Sequence, residues 1–170
     1  HDADLSRVGR GGTPPEIACA PVPEFDRTDL EAARAAFRQV TPIRMQQAWR
    51  AEDEAGFAPA IVRTGWQGNS LLVFAELTDA DVFTAATQHN QRFWELGDTF
   101  EMFLRPVDQQ AYVELHVAPN NLRLQLRFAD AEMITRLPKA DVFGRALVAV
   151  EIFRSTTWVE AGRWVVLAEI

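Results

Sequence analysis

The chain has 170 residues, of which 48% are hydrophobic, and this length and composition predict one globular domain with a substantial core. The formal net charge of −7 argues against a nucleic-acid partner, because no basic cluster would neutralise the phosphates. The single cysteine, Cys19, cannot form an internal disulfide, and the three scattered histidines lack the spacing of a structural zinc site. No apolar run approaches the length of a membrane span.

The chain begins with a stretch that differs in composition from the rest. Residues 1–27 are rich in glycine, proline and charge, and they predict an extended lead-in. Residues 28–38 predict a short helix, because Thr28 and Glu31 have capping-box spacing and an apolar stripe follows at helical spacing. We expect residues 28–170 to form a single domain.

Short strands separated by turn residues make up most of this domain. Their alternating pattern predicts an all-β fold, an antiparallel, jelly-roll-like β-sandwich that carries the short N-terminal helix. The turn chemistry of Gly68 and Asn69 predicts a hairpin, and residues 129–142 predict an irregular excursion. Outside the central stretch the predicted strands are 40–49, 60–66, 71–77, 147–153 and 164–170.

The central stretch, residues 100–128, predicts three consecutive antiparallel strands, 100–105, 111–117 and 122–128. Requiring every apolar side to face one core pairs Arg105 with Tyr112 and Val117 with Leu122. One polar face then collects Glu101, Phe103, Arg105, Tyr112, Glu114, His116, Arg123, Gln125 and Arg127.

This polar face mixes carboxylates, guanidinium groups, an amide, an imidazole and aromatic rings. Such a mixture can donate to and accept from hydroxyl groups while a ring stacks on the apolar face of a sugar. Trp94 and Trp158 stand beside loop residues and are candidate stacking platforms, whereas Trp66 and Trp164 stand at strand positions typical of core. The alternative is an ordinary solvated sheet face whose charges pair across strands.

Three aspartates in the long connection before the central strands are candidate calcium ligands. Asp79, Asp81 and Asp98 offer the oxygen atoms that calcium prefers, and Ca²⁺ is therefore a candidate cofactor. They lack the contiguous aspartate-rich loop of a calcium site, so turn and helix-capping roles are the alternative.

Four segments carry a resemblance to a known family: GWQGNSLLVFAELTDADV, FWELGDTFEMFLRP, YVELHVAPNN and GRWVVLAEI. Their series resembles the β-sandwich of carbohydrate-binding module family 9, within the wider DOMON-like group, over residues 49–170. The resemblance implies a β-sandwich, and members of this group bind sugars in some cases and haem in others. The matching positions are Trp66, Asp79, Asp81, Trp94, Glu95, Asp98, Glu101, Phe103, Tyr112, Glu114, Pro119, Trp164 and Ile170.

The sequence departs from the family pattern at both ends. The family continues past the late tryptophan strand through a proline and a further strand, whereas this sequence ends at Ile170. Residues 1–38 are not part of the usual module, and their helix would cover part of the sheet that binds sugar elsewhere.

We therefore expect non-catalytic carbohydrate binding, in an extracytoplasmic or secreted protein. One alternative is a glycoside hydrolase that uses Glu101 and Glu114 as its paired carboxylates. Another is an interaction domain that has no small ligand and contacts other domains of a larger protein. The last is a haem-binding electron carrier, which needs two axial ligands. Its candidate ligands are Met45, Met102, Met133, His89, His116 and Lys139.

Overall fold

The computed structural model describes residues 16–47, 50 and 52–170. No helix within these residues is long and apolar enough to cross a membrane. The helices are Leu30–Phe37 (α1), Met133–Arg136 (α2) and Lys139–Ala146 (α3), with a 3-10 helix at Phe93–Glu95. The strands are Ala20–Pro21 (β1), Ile43–Arg44 (β2), Ile61–Gln67 (β3), Ser70–Thr78 (β4), Phe100–Leu104 (β5), Tyr112–Val117 (β6), Arg123–Phe128 (β7), Arg154–Glu160 (β8) and Arg163–Glu169 (β9).

Two sheets form the sandwich. The large sheet has the strand order β1-β3-β4-β9-β8, with β2 also paired to β3, and the small sheet has the order β5-β6-β7. Apolar side chains from both sheets, among them Val73 and Val166 from the large one and Phe100 and Leu115 from the small one, meet in a central core. The predicted all-β sandwich with a short N-terminal helix is confirmed.

Helix α1 covers the outer face of the large sheet. Its Phe37 ring is buried and stacks on Phe74 of β4, with the ring centroids 5.2 Å apart. The helix is confirmed, but the residue that caps it is Asp29, whose carboxylate accepts two backbone N–H groups of the first turn. The hydroxyl of Thr28, the predicted cap, instead donates to the carboxylate of Asp26.

A second layer of helices covers much of the outer face of the small sheet. Helices α2 and α3 and the 3-10 helix enclose an outer core with β7, in which Phe93, Leu124 and Ala146 are buried. The prediction of an irregular excursion over residues 129–142 is therefore wrong, because α2 and the first turn of α3 lie there. The sandwich thus carries helices on both outer faces.

The predicted strand over residues 147–153 is also wrong. Within the described residues, this segment forms no strand and pairs with β7 through an isolated bridge between Leu126 and Leu147. The Gln125 side chain holds it in place, because its amide oxygen accepts from the Ile152 N–H at 2.6 Å and its amide nitrogen donates to the Val150 carbonyl at 3.4 Å. A side chain supplies the hydrogen bonds that a strand partner would have supplied.

The predicted hairpin around Gly68 is confirmed, whereas the strand that precedes β9 is β8 and not the predicted strand 147–153. Strands β3 and β4 are joined through Gly68, which has a positive φ of 59°, and β8 and β9 are joined through Gly162. The predicted strand over residues 40–49 is reduced to β2; Ala48 and Trp49 lie outside the described residues.

The predicted lead-in contributes to the large sheet. Residues 1–15 lie outside the described part of the chain, but β1 follows them and runs parallel to β3, with Ala20 beside Gly65. A Cβ at Gly65 would lie 2.1 Å from a methyl group of Val22, so glycine leaves room for the Val22 side chain.

Candidate functional site

The register of the small sheet decides which predicted site residues share a face. Strands β5 and β6 pair Glu101 with His116 and Phe103 with Glu114, as the sequence predicts. Strands β6 and β7 pair Val117 with Arg123, where the predicted register pairs Val117 with Leu122. The predicted register of the third strand is therefore wrong by one residue.

A shift of one residue turns every side chain of a strand to the other face. Leu124 lies opposite His116 and Leu126 opposite Glu114, so the apolar side of β7 shares the outer face with the polar side of β6. The prediction assumes a single core, but the small sheet has a core on each side, and β7 gives its apolar side chains to the outer one.

The residues displaced by this shift have other surroundings. Gln125 is buried and binds the segment beyond α3. Arg123 forms an ion pair with Glu151. Arg127 is exposed, and Arg105 follows the end of β5 and is exposed as well. Arg123, Gln125 and Arg127 therefore do not join the carboxylates of β5 and β6.

What remains is a carboxylate–imidazole cluster of Glu101, His116 and Glu114. The His116 side chain is 2% exposed, and its Nδ1 lies 3.1 Å from Oε1 of Glu101 while its Nε2 lies 3.6 Å from Oε2 of Glu114. Neither ring nitrogen has an aligned hydrogen-bond partner among the described residues, so these contacts are mainly electrostatic. Burial disfavours the charged ring, but the two carboxylates outweigh it, and the pKa of His116 is raised above its usual value.

Tyr112 lies on β6 two residues before Glu114 and therefore on the same face of the small sheet as Glu114 and His116. Burial is the main reason that the pKa of Tyr112 is raised to about 12, and the nearby carboxylates of Glu114 and Asp130 add to it. Its ring stacks on Phe128 of β7, with the centroids 4.9 Å apart. Tyr112 is therefore part of the outer core, and its ring face is already in contact with another ring.

Two exposed aromatic rings flank the cluster. Trp94, from the 3-10 helix, is 45% exposed, and its ring centroid lies 5.6 Å from that of His116. Phe103 of β5 is 59% exposed and lies 6.3 Å from the same imidazole. Sequence reasoning places Phe103 on the polar face without selecting it as a binding residue. The sequence feature that could have identified Phe103 as a binding residue is its position: it is a large apolar residue on the polar side of an alternating strand.

Trp158 lies far from this cluster in the fold. It belongs to β8, packs with the core beneath α1, and its indole N–H donates to the carbonyl of Thr28 at 3.4 Å. The sequence predicts that it stands beside a loop, like Trp94. The structure instead places it on the outer face of the other sheet, so the two tryptophans cannot contact one sugar.

A cleft of about 700 Å³ adjoins the cluster. Glu101 and Phe103 belong to both, because each lines the cleft and also faces His116. The other lining residues come from the ends of β4, β5 and β9 and from the connecting segments beside them: Met45, Gln46, Phe57, Ala58, Ala60, Leu77, Thr78, Asp79, Asp98, Thr99, Phe100 and Trp164.

Two of the three candidate calcium ligands, Asp79 and Asp98, accept hydrogen bonds from nearby backbone N–H groups. The Asp79 carboxylate accepts from the Asp81 N–H, and the Asp98 carboxylate accepts from the Phe83 N–H at 2.6 Å. In residues 16–47, 50 and 52–170, no group of three or more His, Cys, Asp or Glu side chains is arranged to hold a metal ion. Calcium binding stays a prediction, and the described side chains give it no support.

The arrangement also bears on two alternative functions. A hydrolase needs room for the glycosidic oxygen between its two carboxyl groups, and here the His116 ring lies between Glu101 and Glu114. Met102 lies in the central core while His116 lies on the outer face, so these two side chains cannot ligate one haem. The geometry therefore argues against Glu101 and Glu114 as a hydrolytic pair and against Met102 and His116 as a pair of haem ligands.

No family model matches the chain, and no curated protein matches it. Among solved structures, the chain is similar to the crystal structure of "a putative carbohydrate-binding protein" from Bacteroides uniformis. The TM-score is 0.62 at 13% sequence identity, and the match covers 89% of this chain and 70% of that one. The likeness is one of fold. It agrees with the predicted β-sandwich, whereas membership of family 9 or of the DOMON-like group stays a prediction.

Proposed function

We propose that this protein binds carbohydrate without cleaving it, on the surface formed by Trp94, Phe103 and Glu101. The observation that carries the proposal is a pair of exposed rings, Trp94 and Phe103, that both lie beside the His116 imidazole, which in turn contacts the Glu101 carboxylate. Aromatic rings offer a flat apolar surface to the C–H face of a sugar, and a carboxylate accepts strong hydrogen bonds from hydroxyl groups. The similarity in fold to a protein described as carbohydrate-binding supports the same function.

The buried side chain of His116 positions the carboxylate of Glu101, which is partly exposed. His116 is held between Glu101 and Glu114, and its contact with Glu101 uses Oε1. The Glu101 side chain is 30% exposed, so it is open to a ligand while its Oε1 contacts His116. A carboxylate fixed in this way loses less conformational entropy when it binds than a free surface glutamate would.

Titration of tryptophan fluorescence with a panel of oligosaccharides tests the proposal, because Trp94 lies in the site and Trp164 lines the adjoining cleft. Phe103→Ala and Trp94→Ala should each weaken binding about three- to tenfold, since a ring contact contributes about 0.5–1.5 kcal/mol beyond its buried area. Trp158→Phe is the matched control on the opposite sheet and should leave the affinity unchanged.

A flat response to every sugar would overturn the proposal and favour an interaction domain without a small ligand. The same conclusion follows if Phe103→Ala and Trp94→Ala bind sugar as the unaltered protein does. An extracytoplasmic location and additional domains stay predictions, and a secretion assay on the natural full-length protein would test the first of them.

A further inference from the structure

The charges in the cleft all have one sign. Three carboxylates line it, those of Asp79, Asp98 and Glu101, and none of the described residues that line it is a lysine, arginine or histidine. Several other partly buried carboxylates of the protein have a guanidinium partner; Glu76, for example, contacts Arg34 and Arg63. The cleft is therefore a strongly negative part of the surface.

Two of these carboxylates lack a compensating charge. Within the described part of the chain, neither Asp79 nor Asp98 forms an ion pair, and Glu101 contacts only the shared imidazole of His116. The pKa of Asp98 is raised, mainly by burial and further by the carboxylates of Asp79 and Asp81, although the Phe83 N–H opposes this. Their negative charges thus repel one another, and a positive group between them would relieve the repulsion.

The walls of the cleft favour an organic cation over a bare metal ion. Phe103, Phe57 and Met45 give it apolar sides, and the buried Trp164 also lines it. A positive charge next to an aromatic ring is stabilised by the ring, and the stabilisation grows when water is displaced. Thr99 adds a buried hydroxyl oxygen that has no hydrogen-bond partner among the described residues, and such an atom is available to a ligand hydroxyl.

We propose that the cleft binds an amino sugar, with the protonated amino group of the ligand between Asp98 and Asp79 and its ring against Phe103. This inference rests on the proposed carbohydrate-binding function and names the class of sugar for the same surface. A glucosamine unit with a free amine fits both features of the cleft: its ammonium group donates to the carboxylates, and its C–H face packs on the Phe103 ring.

Three β-1,4-linked trisaccharides that differ only at C2 test the proposal: the trimers of glucosamine, N-acetylglucosamine and glucose. Isothermal titration calorimetry at mildly acidic pH would give their affinities for the unaltered protein. We expect the glucosamine trimer to bind about ten- to a hundredfold more tightly than the glucose trimer. One hydrogen bond between charged groups contributes about 1.5–3 kcal/mol, which corresponds to that ratio.

Asp98→Asn should abolish this preference, because the affinity for the glucosamine trimer should fall to about that for the glucose trimer. Asparagine can still accept the hydrogen bond from the Phe83 N–H that Asp98 accepts now. Asp79→Asn is a second variant that should also abolish the preference. It keeps the test valid if Asp98→Asn rearranges the backbone near Phe83. Asp141→Asn, on the exposed side of α3, removes the same charge elsewhere and should keep the preference.

The outcomes separate this inference from the function on which it rests. If the glucosamine and glucose trimers bind equally, or if both cleft variants keep the preference, the amino-sugar inference is overturned while carbohydrate binding stands. If none of the trimers or other sugars binds, both are overturned. Binding of calcium alone that is lost in Asp98→Asn would assign the carboxylates to a metal and would also overturn the inference.

Discussion

The two outer faces of the sandwich are both covered by helices, yet only one of them is closed. Under α1, the large sheet presents Leu72, Phe74, Val165 and Leu167, all buried. Arg34 of α1 reaches Glu76 and Glu160 at the rim and ties the helix to the edge of this face. A face of this kind contributes stability and offers little to a ligand.

The helices over the small sheet cover only part of its outer face. Phe128 of β7 is 3% exposed beneath them, whereas Phe103 of β5 is 59% exposed at the opposite edge of the same sheet. The cluster of Glu101, His116 and Glu114 lies between these extremes, with its imidazole buried and one carboxylate partly open. Because the helices cover only part of this face, the buried imidazole of His116 lies beside the exposed ring of Phe103.

Phe37→Ala should cause the largest loss of stability, because it removes the ring that closes the apolar face. Phe37 is 1% exposed and stacks on Phe74, and truncating such a residue costs about 3–5 kcal/mol of the free energy of unfolding. Urea denaturation measures the loss. Phe103→Ala, which removes an exposed ring, should change stability by no more than about 0.5 kcal/mol. Equal losses in the two variants would contradict the contrast between the faces.

Local patterns predict the parts of this fold that depend on one or two neighbouring strands. The hairpin between β3 and β4 follows from alternation and from the Gly68 turn, and the pairing of β5 with β6 follows from two alternating segments. The cluster of Glu101, Glu114 and His116 is therefore predictable, since it depends on that pairing alone.

The position of β7 is not predictable by the same reasoning, because it depends on a core that the sequence signals only weakly. Helix α3 begins after Pro138 without a side-chain cap, and its apolar residues Val142, Phe143 and Ala146 occupy barely more than one turn. If α3 is not predicted, the apolar side chains of β7 can be assigned only to the central core. The predicted register of β7 is then wrong by one residue. Spacing in the sequence also gives no sign that Trp158 lies against α1.

Gln125→Ala tests this corrected register and should have an intermediate effect. In the predicted register Gln125 faces solvent, and its loss would cost little. In the structure it is 5% exposed and accepts from the Ile152 N–H, so its removal leaves backbone groups unpaired and should cost about 1–3 kcal/mol. Urea denaturation measures the difference from Arg127→Ala, the exposed neighbour two residues along the strand. A loss no larger than that of Arg127→Ala would argue for the predicted register.

The smallest expected effect is a dependence of stability on pH that arises in the cluster. Since the pKa of His116 is raised in the folded protein, its charged form stabilises the fold fully below the unfolded pKa of about 6.5. That contribution is lost as pH rises through the higher folded value. Stability should therefore fall as pH rises above about 6.5 and through the folded pKa of His116.

Glu114→Gln should make this decrease shallower, because it removes one of the two carboxylates that favour the charged ring. Glu132→Gln, an exposed residue next to α2, removes the same charge at a distance and should leave the slope unchanged. Urea denaturation at several pH values gives the slopes. If Glu114→Gln and the unaltered protein have the same slope, the imidazole is not charged by its neighbours. The difference between the two outer faces would then be one of exposure alone, without a buried charge to hold Glu101 in place.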